Sequence, residues 1–131
     1  MKIKKEVYDK ILEQAKRDLP NESCGYLFGI DDTVIESYEM TNADHSPEHF
    51  SFIPKEQFGA INYARKKGLQ VIANWHSHPS SPSRPSQEDI RLAYDSQIAY
   101  FILSLATEEP VLNAFHIENG VSEKLPLEII E

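Results

Sequence analysis

The sequence has a single cysteine, no long apolar run and few cations, and each shortage removes a class of protein. With Cys24 alone there is no internal disulfide, and a reducing compartment is the simpler reading. The longest apolar run, Ile98–Leu103, falls far short of the roughly 20 residues that cross a bilayer. Met1–Lys16 is charged throughout and lacks the apolar stretch of a signal peptide, so a cytoplasmic protein is expected. Basic residues number 13 against 21 acidic ones, a formal net charge of −8. Lys2–Lys5 and Arg65–Lys67 are short and separate, so no basic stripe exists to hold phosphates. Nucleic acid and anionic membranes are excluded as partners on that ground.

What remains is 131 residues, 40% hydrophobic and 26% charged, the balance of one globular domain over residues 1–131. Such a chain buries a core without a structural metal, which leaves any metal free for chemistry. Ile3, Val7, Ile11 and Ala15 recur every four residues and predict an amphipathic helix to about Leu19, stopped by Pro20. Gly25–Ile30 and Val34–Met40 flank Asp31-Asp32 as a hairpin, and Phe50–Ile53 reads as a short strand. Pro54 opens a second helix that ends near Gly68. Gln70–His78 is a strand, Pro79–Pro85 a loop, and Ser86 begins a third helix to about Ser96. Tyr100–Leu105 and Val111–Ile117 are core strands, and the tail adds one more. This order predicts an α/β or α+β architecture, helices covering a mixed sheet. Trp75, Tyr94, Tyr100 and Phe101 are expected in the core.

The chemistry concentrates in Trp75-His76-Ser77-His78-Pro79 and Ser86-Gln87-Glu88-Asp89. Residues two apart on a strand share a face, with α-carbons roughly 6.6 Å apart, so both imidazoles can converge on one cation. Ser77 points the other way. With Ser86 as N-cap, Asp89 falls at the third helical position, where the helix dipole favours its anion. Two histidines and one carboxylate leave a tetrahedral Zn²⁺ one open position, as catalytic sites do. Each half also has a plain reading: His-x-His as a packing pair, Ser-x-x-Asp as a helix box.

His76-x-His78-Pro79, six residues, then Ser86-x-x-Asp89 resembles the JAMM motif of the JAB/MPN metalloprotease superfamily. Pro20-Asn21-Glu22-Ser23-Cys24-Gly25-Tyr26-Leu27-Phe28-Gly29 is similar to that family's glutamate-containing stretch, with Glu22 in the glutamate position. Asn42, Ser46-Pro47 and Phe50 extend the likeness over most of the chain. The resemblance implies an MPN-type fold, related to the cytidine-deaminase-like group. It implies a zinc peptidase or isopeptidase acting at the C-terminal tail of a ubiquitin-like or sulfur-carrier protein. His76, His78 and Asp89 would hold Zn²⁺, Glu22 would be the general base, and Ser86 would donate a hydrogen bond to the tetrahedral intermediate. Two alternatives are a hydrolase releasing a small amino-acid adduct from a carrier protein and a non-catalytic MPN scaffold. A deaminase would need the Pro-Cys-x-x-Cys ligands that one cysteine cannot supply.

Cys24 could share the face of Glu22, though nothing nearby would activate it, and packing is its expected role. His45 and His49 lie in a polar loop and read as surface residues, and His116 as a core or edge histidine. Tyr38–Phe52 reads as extended and could offer an edge to a substrate tail, or be a surface loop.

Overall fold

The computed structural model describes residues 1–131. The strands are β1 (Lys2–Lys4), β2 (Cys24–Ile30), β3 (Thr33–Met40), β4 (Gln70–His78), β5 (Ala99–Ser104), β6 (Val111–Glu118), β7 (Val121–Leu125) and β8 (Glu128–Ile130). The helices are α1 (Lys5–Arg17), α2 (Pro54–Lys66) and α3 (Gln87–Arg91). One eight-stranded mixed sheet runs in the order β7-β6-β5-β4-β2-β3-β1-β8. β4 and β5 are parallel, and β2 joins β4 antiparallel. This is the expected mixed sheet with flanking helices. No helix is long and apolar enough to cross a membrane.

The two faces of the sheet are covered differently. On one face Leu27, Ala73, Trp75, Phe101 and Leu103 pack with Val7, Ile11 and Ala15 of α1, all buried. Each of the larger side chains contributes about 1.5–3 kcal/mol by leaving water. On the other face, Phe28 packs under Ala60 and Ala64 of α2, while Tyr100, Ile102 and Ile117 pack with Ile90 of α3. The middle of that second face, over β4, lies between the two helical covers. Gly25 is held close on β2: a Cβ there would stand 2.5 Å from the Tyr38 carbonyl oxygen and 2.8 Å from Trp75 Nε1.

Several expectations are corrected. Lys2–Lys4 is a strand rather than helix, because it pairs in parallel with β3 and β8. The tail supplies two strands, not one. Phe50–Ile53 forms no strand: Phe50 and Phe52 pack by their rings, 5.3 Å apart, instead of pairing along the backbone. Of Tyr38–Phe52, Tyr38–Met40 belongs to β3 and the rest forms no strand, so the surface-loop alternative holds there. α3 stops at Arg91 instead of Ser96, because the Tyr100 hydroxyl bonds both the N–H and the carbonyl of Asp95. The Asp95 carboxylate also takes the Gln97 N–H at 2.8 Å, a local turn that competes with helix. Tyr94 follows that turn outward and is 85% exposed, not core.

Candidate metal centre

β4 carries His76 and His78 side by side at its C-terminal end, both 3% exposed. The two Nε2 atoms are 3.1 Å apart, and each is 3.1 Å from Asp89 Oδ2. The strand period supplies the two rings. The loop that follows is pinned back over β5 and β6: Ser83 Oγ donates to the Ile102 carbonyl, and Asn113 Nδ2 donates to the Ser83 carbonyl. That brings α3 over the strand end. Ser86 is its N-cap, accepting the Asp89 N–H at 3.0 Å, while Asp89 Oδ2 accepts the Ser86 N–H at 2.9 Å. The capping box therefore locks the Asp89 side chain toward the histidines.

A cation fits this triangle. His78 Nδ1 donates to the Pro82 carbonyl at 2.8 Å, so Nε2 can turn a lone pair to a cation once the proton it shares with Asp89 has left. Two ring nitrogens and an anionic oxygen then face one another at contact distance. Tetrahedral bonds of about 2.0–2.1 Å place ligand atoms roughly 3.3–3.4 Å apart, close to what is found. Burial pushes the Asp89 carboxyl up, but hydrogen bonds from His76 and His78 outweigh that and hold it well below the usual range. Burial lowers His76. It would lower His78 too, yet bonding to Asp89 and Pro82 leaves that ring above its ordinary value. The ionised carboxylate is the form that binds metal.

Glu22 lies just before β2, 3% exposed, with Oε1 buried and unpartnered. Burial raises its carboxyl from 4.5 to about 8, against the pull of His78. Its backbone is fastened on two sides. Its N–H donates to the Ser46 carbonyl at 2.8 Å, and Asn42 Nδ2 donates to its carbonyl at 3.1 Å. Ser77, between the two histidines, accepts the Ser23 N–H at 2.7 Å from the opposite face. Phe50 stacks on the His76 ring at 4.7 Å.

Ser77 and Asn42 escaped assignment from residue types alone, although a small polar residue between two buried histidines is itself a signal. Cys24 is buried beside His76 in the register, with its thiol pushed up to about 12 by burial. His45 lines a separate cleft together with Glu22 and Asn42, and His49 Nδ1 contacts Asp44 at 3.0 Å on the surface. His116 is half-exposed beside Glu118.

The model of prokaryotic homologs of the JAB domain matches residues 4–118. The chain belongs to this family. It is 27% identical over 134 residues to the CysO-cysteine peptidase of Mycobacterium tuberculosis, across 98% of this chain and 90% of that protein. It is 30% identical over 103 residues to the desampylase of Haloferax volcanii, across 73% of this chain and 74% of that one. A solution structure of a protein from Desulfitobacterium hafniense matches with a TM-score of 0.91 at 40% identity, over 99% of this chain and 93% of that chain. A structure described as JAMM, a metalloprotease-like zinc site in the proteasome and signalosome, matches at 0.66 and 26%, over 100% and 98%. JAB-family membership and these relatives place the chain among the hydrolases.

Proposed function

We propose that the chain is a zinc-dependent peptidase or isopeptidase, one domain over residues 1–131, cleaving an amide at the C-terminal tail of a ubiquitin-like or sulfur-carrier protein. The observation that carries this is the convergence of His76 Nε2, His78 Nε2 and Asp89 Oδ2 within 3.1 Å of one another. These three atoms would hold Zn²⁺. When bound, zinc supplies a Lewis acid and a water with a pKa of about 7. The named activities of the mycobacterial and haloarchaeal relatives support a carrier-protein substrate.

The chain's own groups do the rest. Glu22 takes a proton from the attacking water as oxygen adds to the carbonyl carbon. It then gives that proton to the departing nitrogen as the C–N bond breaks, leaving a carboxylic acid and an amine, and the acid's remaining proton passes to the amine to give carboxylate and ammonium. Burial raises this carboxyl in the metal-free protein, and the positive charge of a bound cation would draw it back toward the ionised form that accepts the proton. Ser86 Oγ accepts the Asp89 N–H through a lone pair, which leaves its own proton to donate to the tetrahedral oxyanion. The cap and the catalytic task thus use different parts of one hydroxyl.

The direct test incubates the zinc-loaded protein with β-grasp carrier proteins bearing C-terminal amide adducts, read by mass spectrometry with and without chelator. Cleavage that chelator stops is expected. No cleavage of any adduct with zinc bound would overturn the proposal.

A further inference from the structure

Between the α2 and α3 covers, a cavity of about 430 Å³ opens on the sheet face over β4, with His76 and Asp89 in its wall. Its size lies within the roughly 300–1,000 Å³ of small-molecule pockets. Most of the wall is apolar, Phe50, Phe52, Leu92 and Ile102 among it. Its charges are all of one sign: Glu88, Asp89 and Asp95 line it, and none of its 16 residues is Lys or Arg. Away from the end that would hold the metal, a carboxylate entering it finds no cationic side chain and meets Glu88 and Asp95.

One polar group in that wall is unmatched. Asn74 lies two residues before His76 on the same face of β4, roughly 6.6 Å along the strand. It stands in register between Tyr26 of β2 and Tyr100 of β5. Its Oδ1 is buried without a hydrogen-bond partner. The hydroxyl of neighbouring Tyr26 accepts from Gln57 Nε2 at 3.0 Å and makes no bond to Asn74. A carboxamide offers both donor and acceptor, and can turn to present either. Another amide can satisfy both.

We infer that this cavity is the specificity pocket for a residue flanking the scissile amide: it takes a large apolar side chain, Asn74 pairs with that residue's far amide, and a free carboxylate is rejected. This rests on the hydrolase reading above and narrows it. A chain that continues past the bond as a peptide or isopeptide fits the pocket, whereas a single amino-acid adduct ending in a carboxylate does not. Asn74 acts as a specificity-determining residue, because an unpaired polar group in the wrong complex discriminates more strongly than lost apolar contact.

The test uses the zinc-loaded protein and two probes that differ only in one group, N-acetyl-phenylalaninamide and N-acetyl-phenylalanine. Binding is followed by backbone amide NMR shifts. The amide is expected to perturb residues around Asn74, Tyr100 and Ile102 and to bind at least about 10-fold tighter than the carboxylate. Asn74→Leu should weaken the amide probe to the level of the carboxylate. Asp95→Asn keeps the acceptor for the Gln97 N–H and should tighten the carboxylate probe several-fold, narrowing its gap to the amide, a readout independent of how Asn74→Leu folds. Equal or tighter binding of the carboxylate, shifts elsewhere in the molecule, or an unaltered Asp95→Asn profile would overturn the inference. In parallel, carrier-tail peptides carrying either group beside the bond are assayed for hydrolysis. Hydrolysis indifferent to that group sinks the pocket alone, whereas discriminating binding without any hydrolysis sinks the hydrolase reading alone.

Discussion

Ser77 Oγ accepts the backbone N–H of Ser23 at 2.7 Å, and the Ser23 carbonyl accepts the Ser77 N–H at 3.0 Å. The residue between the two histidines is thereby tied, twice, to the residue after Glu22. His76, His78 and Glu22, proposed to hold the metal and carry the proton, are thus joined at one point, although 54 residues separate its halves in sequence.

Ser77→Ala should break half of that joint and leave a buried N–H unpaired. A loss of about 1–3 kcal/mol is expected in urea unfolding. Turnover should fall while zinc content stays at that of the parent protein, since neither imidazole loses a partner. Unchanged stability and turnover together would show that the joint is not needed.

Ser86 carries two tasks that substitution can separate. Ser86→Ala removes the cap and the hydroxyl, costing about 0.5–2 kcal/mol of stability, whereas glycine at an N-cap costs only a few tenths. Ser86→Gly is therefore expected to keep most of the stability yet lose about 10²–10³ in kcat. Thermal unfolding and steady-state kinetics on both variants check this. A Gly variant with near-parental kcat would leave Ser86 only a structural part.

Glu22 predicts a pH dependence for the chelated protein. Its carboxyl ionises near 4.5 when unfolded, but burial holds the folded value at about 8. Between those values the folded state keeps a proton that the unfolded chain has released, so stability contributed by this group falls as pH rises through the window. Glu22→Gln cannot ionise and escapes the loss. Its melting temperature relative to the parent should be higher at pH 8 than at pH 5. A pH-independent difference would contradict the buried carboxyl.

Cys24 should be inert in the native state. With its thiol pushed up to about 12 by burial, almost no thiolate exists at pH 8. Iodoacetamide is expected to label it only in urea, by mass spectrometry. Native labelling accompanied by loss of activity with zinc retained would return Cys24 to the chemistry.

The parts of the site that sequence could carry are the local ones. His76 and His78 follow from a two-residue period, and Ser86 with Asp89 from a helix box three residues long. Glu22 is different in kind: nothing in its spacing to His76 reveals it, and only the family likeness of residues 20–29 pointed there. Contacts between distant segments stayed hidden. Phe50 reads as a strand residue because it is aromatic and follows a polar loop, yet its ring stacks on His76. The third helix has the composition to reach Ser96, but a hydroxyl from β5 takes its backbone. β1 holds only because β3 and β8 come to it, and three residues of charged sequence cannot announce that.

The most direct measurement is paired zinc content and turnover for Glu22→Gln and Asp89→Ala against the parent protein. The account predicts about one zinc per chain and no turnover for Glu22→Gln, and loss of both for Asp89→Ala. A Glu22→Gln protein that turns over at the parental rate, or an Asp89→Ala protein that keeps its zinc, would contradict it.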